Sequence, residues 1–143
     1  MSLPTPKEIL DRFYAAEAIF MAAPDATRDP TAMLNTLSPQ LQVHQSPDLP
    51  WGGEWVGHEG FAAWGATMTS YFSLLEVLEP RVFERDEGDE VMVISTLKLV
   101  TKAGEVWEKP MTQLVRVDRK EGVITEITPF NWDVQGLRKL VGV

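Results

Sequence analysis

The chain has 143 residues, of which 44% are hydrophobic and none is cysteine, and its formal net charge at pH 7 is −8. This length supports one domain with its own core and is too short for two of ordinary size, so residues 1–143 are predicted to form a single domain. Without cysteine there is no disulfide, thiol nucleophile or thiolate metal ligand. The negative charge, with no cluster of lysine and arginine, argues against nucleic-acid binding.

No segment approaches the roughly 18 consecutive apolar residues that a membrane-spanning helix requires. The first residues also lack the basic and then apolar pattern of a secretory signal. We therefore expect a cytoplasmic protein that does not enter a membrane.

Two helices are predicted before the first strand. Apolar residues recur at spacings of three and four over residues 5–23, which is typical of an amphipathic helix. Pro30, with Asp29 as the N-cap, favours the start of a second, short helix that extends through Leu37 and ends at Pro39.

A short strand over residues 41–46 and a loop rich in Pro and Gly over residues 47–53 are predicted next. A third helix follows, because apolar residues recur at helical spacing and form one wide face that must be covered. This face consists of Phe61, Trp64, Met68 and Phe72.

Four extended segments complete the pattern, over residues 74–85, 90–102, 105–117 and 123–130, and a short helix is expected over residues 134–140. The short turns between the segments predict an antiparallel meander. Two of these strands are apolar on both faces over part of their length. One face is therefore expected to meet the helices and the other a second copy of the chain, giving a homodimer through the sheet.

The order of elements resembles the SnoaL-like branch of the NTF2-like, or cystatin-like, α+β superfamily, and the resemblance covers nearly the whole chain. Its most specific parts are residues 48–57 before a helix, residues 115–118 before Gly122, and residues 130–133. It implies an NTF2-like cone in which three N-terminal helices pack on a curved, mostly antiparallel sheet. The superfamily contains isomerases, cyclases, hydrolases, dehydratases, transport factors and proteins of no known activity, so the fold does not settle the function.

Relatives of the ketosteroid isomerase type use a tyrosine on the first helix, an aspartate base after the first strand and a protonated aspartate on a later strand. In this sequence the tyrosine position falls at Phe13 or Tyr14, and the base position falls near Ser46. The donor position falls at Gln113 or Thr112. Two of the three positions do not match, so steroid-type isomerisation by this set is not expected.

SnoaL-like cyclases rely on an aspartate and a histidine that line the cone, which implies His44, Gln113 and Asp133 as catalytic residues here. His44 is suited to act as an acid or base near neutral pH if it faces the cavity, and the alternative is a solvated or core histidine. Asp133 would have a raised pKa if Trp132 and Phe130 buried it. The alternative, a cap of the terminal helix, is favoured.

Other polar and aromatic residues are candidates for ligand binding. Gln113 lies mid-strand among apolar neighbours and requires a buried hydrogen-bond partner, which a ligand carbonyl or a structural network would supply. Glu17 lies on the apolar side of helix one, but helix margins commonly carry a glutamate into solvent, and that interpretation is favoured. The predicted ligand-binding set is Phe13, Tyr14, Glu17, Trp51, Trp55, Trp64, Met68, Trp107 and Asn131.

The sequence therefore predicts a cavity for a small hydrophobic molecule that bears a carbonyl group. One hypothesis is cofactor-independent proton transfer next to the carbonyl, as in an isomerase or cyclase, with His44 or Asp133 as acid or base and Gln113 polarising an oxygen. The alternative is a non-catalytic binding or interaction module whose cone is filled by its own tryptophans. A hydrolase or dehydratase is a third possibility. No cofactor is implied, and the histidine spacing offers no metal site.

Overall fold

The computed structural model describes residues 2–86 and 88–143. Four helices occur in this part of the chain: α1 (Pro6–Ala22), α2 (Thr31–Leu34), α3 (Gly57–Tyr71) and α4 (Val134–Leu140). The strands are β1 (Leu37–Gln45), β2 (Gly53–Val56), β3 (Phe72–Glu84), β4 (Glu90–Thr101), β5 (Val106–Asp118) and β6 (Val123–Asn131). Among the described residues, no helix combines the length and apolar character that crossing a membrane demands.

The strands form one six-stranded sheet in the order β2-β1-β6-β5-β4-β3. Strands β3 to β6 pair antiparallel in sequence order, which confirms the predicted meander. Strand β1 lies parallel to β6, with Val43 opposite Ile127, so the sheet is mixed. The helices before the meander pack on the sheet, which confirms the predicted α+β class.

Helix α1 is held at its start by a capping box. The Thr5 hydroxyl accepts the Glu8 N–H at 3.1 Å, and the Glu8 carboxylate accepts the Thr5 N–H at 3.1 Å. The buried face of α1 includes two polar side chains, Tyr14 and Glu17, beside its apolar residues. The helix therefore brings a hydroxyl and a carboxyl group into the core.

The second helix is shorter than predicted. Its N-cap is Pro30 rather than Asp29, although the Asp29 carboxylate does accept the Thr31 N–H at 2.9 Å. The helix ends at Leu34, and the predicted extension through Leu37 is wrong. Leu37 is only 1% exposed because it already belongs to β1 and packs in the core.

Strand β1 runs through Pro39, which had been expected to separate a helix from a strand. The register with β6 shifts between Leu37 and Gln42. Proline cannot donate a backbone hydrogen bond, and it is tolerated where the ladder is interrupted.

The hairpin of β1 with β2 was not predicted, because β2 has only four residues and follows a loop rich in glycine. Trp55 lies opposite Val43, and Glu54 lies opposite His44. Gly57 then has a φ of 71°, a left-handed conformation that glycine adopts without strain, and the chain passes directly into α3.

The aromatic face of α3 packs against α1, as its spacing predicts, but Phe72, which was predicted on the same helical face, is the first residue of β3. The rings of Phe61 and Trp64 stack with centroids 4.7 Å apart, and Phe13 contacts Phe61 edge-on at 5.9 Å. On the sheet, alternate residues of β4 point toward the helices and are buried. A cavity remains where these two layers do not fully meet.

Candidate ligand-binding site

The cavity lies between α1, α3 and the inner face of the sheet. Its volume, measured as the space that the centre of a water molecule can reach, is about 40 Å³. Since one water needs roughly 10–15 Å³ on this measure, the cavity suits a compact molecule rather than a system of several rings. Its polar lining residues are Glu17, Gln45, Gln113 and Asn131, and its apolar ones include Trp51, Trp64 and Met68.

Glu17 is the buried ionisable group of this cavity. The residue is 6% exposed, and its carboxyl group makes no hydrogen bond or ion pair with any residue that the structure describes. Burial raises the pKa of Glu17 to about 8, because a carboxylate without partners is poorly stabilised away from water. The expectation that the helix margin carries Glu17 into solvent is therefore wrong.

Tyr14 and Gln113 form a buried hydrogen bond between the helical layer and the sheet. The Tyr14 hydroxyl donates to Gln113 Oε1, and each residue is 7% exposed. Burial, together with the nearby charges of Glu17 and Asp11, raises the pKa of Tyr14, so the hydroxyl remains a donor. The Gln113 amide N–H groups make no other bond within the described chain and are available to a ligand.

Trp64 supplies a second donor. Its indole Nε1 is buried and has no hydrogen-bond partner among the described residues, and the side chain lines the cavity. A buried donor without an acceptor costs about 1–3 kcal/mol. A ligand that places an oxygen atom against this N–H would recover part of that cost.

His44 does not line the cavity, in contrast to its expected position. Leu41 and Val43 are buried on the inner side of β1, so the alternation of the strand directs His44 to the opposite face. There its Nε2 lies 2.6 Å from the Glu126 carboxylate, and its Nδ1 contacts the Glu54 carboxylate. The hydrogen bond with Glu126 is the main cause that raises the pKa of His44, with Glu54 adding to it.

We expect His44→Gln to leave ligand binding in the cavity unchanged and to alter only the pH dependence of stability. Because folding raises the pKa of His44, its contribution is complete below about pH 6.5 and is lost as the pH rises through the folded pKa. The Glu54 partner is largely exposed, so solvent screening limits the effect to less than about 1 kcal/mol. Urea unfolding at pH 6 and pH 9 measures it, and a loss of cavity binding in the variant would contradict this placement.

Asp133 also lies away from the cavity lining. Its carboxylate accepts the Gly136 N–H at 2.8 Å and caps α4, the alternative that the sequence favoured. Trp132 is 78% exposed and Phe130 is 55% exposed, so these rings do not bury the carboxylate as the other interpretation required. Asn131, in contrast, does line the cavity.

Four of the aromatic candidates lie outside the lining, and one of them, Tyr14, contacts it through Gln113. Phe13 is 2% exposed in the core, and Trp55 donates its indole N–H to the Trp51 carbonyl at 3.0 Å. Trp107 packs against α4, since a Cβ added at Gly136 would lie 2.8 Å from its ring. Trp51, Trp64 and Met68 are the aromatic and sulfur-containing residues of the predicted set that do line the cavity.

Sequence reasoning did not identify Gln45 or most of the apolar wall. Gln45 follows Leu41 and Val43 at alternate positions, so strand alternation alone could have placed it on the inner face. The remaining lining residues not identified are Leu75, Val77, Leu97, Leu99, Met111 and Pro129. In the part of the chain that the structure describes, no group of three His, Asp or Glu side chains is arranged to hold a metal ion.

Comparison with known proteins identifies the fold. No protein-family model and no curated protein matches the sequence. An NTF2-like protein of unknown function from Burkholderia pseudomallei is similar in structure, with a TM-score of 0.75 and 16% identity over 96% of this chain and 97% of that one. A putative polyketide cyclase from Xanthomonas campestris has a TM-score of 0.73 and 19% identity, over 95% and 96% of the chains.

A hypothetical protein with a ketosteroid isomerase-like fold from Catenulispora acidiphila, solved in complex with trimethylamine, is also similar. Its TM-score is 0.73 and its identity 18%, over 98% of this chain and 95% of that one. At such low identity, these similarities establish the fold and not the activity. The chain has the NTF2-like α+β fold shared by ketosteroid isomerase-like and polyketide cyclase proteins.

Proposed function

We propose that the cavity binds a compact molecule with a carbonyl group and that Glu17 transfers a proton at the carbon next to that carbonyl. The observation that carries this proposal is the buried carboxyl group of Glu17, without a partner among the described residues, in a cavity whose wall includes Trp64 with its unpaired indole N–H. Acid/base chemistry was expected in this cavity from the sequence, with His44 or Asp133 in that role. Their positions outside the lining favour Glu17 instead.

The proposed reaction needs no cofactor. The Glu17 carboxylate removes a proton from the carbon beside the carbonyl, and the C–H electron pair forms a carbon–carbon double bond. The carbonyl π electrons move to oxygen and give an enolate, which the N–H groups of Trp64 and Gln113 stabilise. The protonated Glu17 then returns the proton to the same carbon or to another one, and the second case is an isomerisation.

The environment of Glu17 fits this role. With a pKa of about 8, Glu17 is a stronger base than an ordinary carboxylate, and about one molecule in ten carries the ionised form at pH 7. When Glu17 is protonated, Glu17 and Gln113 present hydrogen-bond donors to the cavity, and the unpaired N–H of Trp64 lies buried in its wall. This arrangement favours a ligand rich in acceptor oxygens.

Hydrogen exchange tests the proposal without knowledge of the natural substrate. Cyclopentanone is small, and loss of the NMR signal of its α-hydrogens in D2O reports proton transfer next to the carbonyl. We expect the protein to accelerate this loss above the rate in buffer alone. A rate equal to that in buffer, at concentrations where cyclopentanone binds, would contradict the catalytic part of the proposal.

A second candidate function is the binding of a small amine without catalysis. Trp51 and Trp64 offer aromatic surfaces in the same cavity as Glu17, and a cation is stabilised by such faces and by a carboxylate. The similar structure from Catenulispora acidiphila holds trimethylamine. Titration with trimethylamine, followed by tryptophan fluorescence, distinguishes this function. Binding that disappears in Glu17→Gln, together with no hydrogen exchange of cyclopentanone, would favour it.

We also propose that the outer face of the sheet pairs with a second copy of the chain. The residues Phe83, Met92, Leu114 and Thr128 lie opposite one another across four neighbouring strands, β3 to β6. Phe83 is 50% exposed and Met92 is 36% exposed, although Val91 and Val93 on either side of Met92 are buried. Large exposed apolar residues on one face favour self-association through that face.

Met92→Glu is therefore expected to convert a dimer into a monomer, because it places a charge at the centre of the proposed contact. Analytical ultracentrifugation measures the change. Ile19→Glu is the matched control, since Ile19 is 72% exposed but lies on α1. A wild-type monomer, or a dimer that survives Met92→Glu, would contradict the proposed interface.

A further inference from the structure

We propose that Tyr14 is a positioning residue that determines the ligand specificity of the cavity. Its hydroxyl donates a hydrogen bond to Gln113 Oε1, so the amide N–H groups of Gln113 face the ligand. The cavity therefore selects a ketone over the corresponding alcohol. This inference rests on the proposed binding of carbonyl compounds. It does not require that Glu17 catalyse a reaction.

A primary amide has an acceptor oxygen on one side and two N–H donors on the other. Gln113 projects from β5 into the cavity, and Tyr14 projects from α1, 99 residues away in the chain. If the amide were reversed, an N–H group would face the Tyr14 hydroxyl and the observed bond from that hydroxyl to Gln113 Oε1 would be lost. The cost of losing that bond holds the amide in one orientation.

The orientation has a direct consequence for a ligand. A ketone oxygen only accepts hydrogen bonds, and it is satisfied by the N–H groups of Gln113 and Trp64. An alcohol must also donate, and the face of the Gln113 amide that meets the ligand presents only donors, so its O–H would have to turn away toward Glu17, Gln45 or Asn131. Where it does not reach one of these groups, its O–H loses its partner in water without replacement, which lowers its affinity.

The orientation of the Gln113 amide does not depend on whether Glu17 is ionised. The two residues are three positions apart on α1, and the charge of Glu17 adds to burial in raising the pKa of Tyr14. The hydroxyl therefore keeps its proton when Glu17 ionises. The preference for a ketone should be largest while Glu17 is protonated, because the ionised carboxylate would accept the O–H of an alcohol.

The test compares the dissociation constants of cyclopentanone and cyclopentanol in the wild type and in Tyr14→Phe, with binding followed by NMR titration. Without the hydroxyl, the Gln113 amide can adopt both orientations, and we expect the preference for the ketone to fall about 10-fold. Tyr71→Phe is the matched control. Tyr71 packs beside Trp51 with ring centroids 5.8 Å apart, but its hydroxyl makes no hydrogen bond within the described chain.

A spectroscopic measurement separates positioning from a general structural role. The side-chain N–H₂ signals of Gln113, assigned by their absence in Gln113→Met, should shift on addition of cyclopentanone in the wild type and shift less in Tyr14→Phe. A loss of packing alone would weaken both ligands equally and leave their ratio unchanged. If Tyr14→Phe does not fold, Gln113→Met serves instead and should lose the same preference.

If Tyr14→Phe or Gln113→Met keeps the wild-type ratio of the dissociation constants of cyclopentanone and cyclopentanol, this inference is overturned, even if hydrogen exchange is observed. Conversely, a ketone preference that depends on Tyr14, in a protein that does not accelerate exchange, would support the inference and contradict only the catalytic role of Glu17. If the wild-type protein binds neither compound, the inference and the proposed function are both overturned.

Discussion

Replacement of Glu17 by Gln is expected to reduce the protein-catalysed hydrogen exchange of cyclopentanone by about 10²–10⁴-fold, the usual contribution of a positioned acid or base. Glutamine preserves the size and hydrogen-bonding capacity of the side chain but cannot accept and return the proton. Binding of the ketone should change much less than the rate, because the N–H donors of Trp64 and Gln113 remain. The measurement is the exchange rate at saturating cyclopentanone.

The matched control for this prediction is Glu121→Gln, which removes an exposed carboxylate in the turn between β5 and β6. It should exchange at the wild-type rate. The pH profile gives an independent check, because a base with a pKa of about 8 predicts a rate that rises with pH and levels above that value. An active Glu17→Gln variant, or a rate that is flat between pH 6 and pH 9, would remove Glu17 from the mechanism.

The same substitution is expected to make the protein considerably more stable at alkaline pH. Folding raises the pKa of Glu17 from 4.5 to about 8, which corresponds to on the order of 5 kcal/mol. Between these values the unfolded chain has released the proton while the folded chain retains it, so stability falls as the pH rises from about 4.5 to about 8. Glutamine does not ionise, so the variant avoids this loss.

Urea unfolding of the wild type and of Glu17→Gln at pH 5 and pH 9 measures this effect. The two proteins should have similar free energies of unfolding at pH 5, and the variant should be more stable by several kcal/mol at pH 9. The difference between the two proteins isolates Glu17 from other groups that titrate, including His44. If the wild type and Glu17→Gln had equal free energies of unfolding at pH 9 as well as at pH 5, the carboxyl group of Glu17 would not be buried in the folded state.

Much of the fold could be predicted because its signals are local. The alternation of β4 and the short turns between β3, β4, β5 and β6 define the meander, and the spacing of α1 and α3 defines two amphipathic helices. The hairpin with β2 could not be predicted, because four residues carry too little periodicity. Leu37 was assigned to the wrong element, since only its burial against the sheet distinguishes a strand from the end of a helix.

The candidate site was less predictable, because its contacts join distant parts of the chain. The bond between Tyr14 and Gln113 spans 99 residues, and neither sequence neighbourhood indicates it. Glu17 lies at the margin of the apolar stripe of α1, where a small rotation of the helix decides between solvent and core. The strand pattern around His44 was more informative than its chemistry, since the buried position of Val43 alone directs His44 outward.

Titration of the Glu17 carboxyl carbon by ¹³C NMR is the first measurement to make, because it reports both the pKa of Glu17 and its contact with a ligand. Protein labelled at the glutamate carboxyl carbons gives this signal, which is assigned by its absence in Glu17→Gln. We predict that the titration of this carbon has its midpoint near pH 8 and that its signal changes when cyclopentanone binds. A midpoint near 4.5, or a signal that does not respond to the ketone, would contradict a buried carboxyl group that acts on a carbonyl ligand.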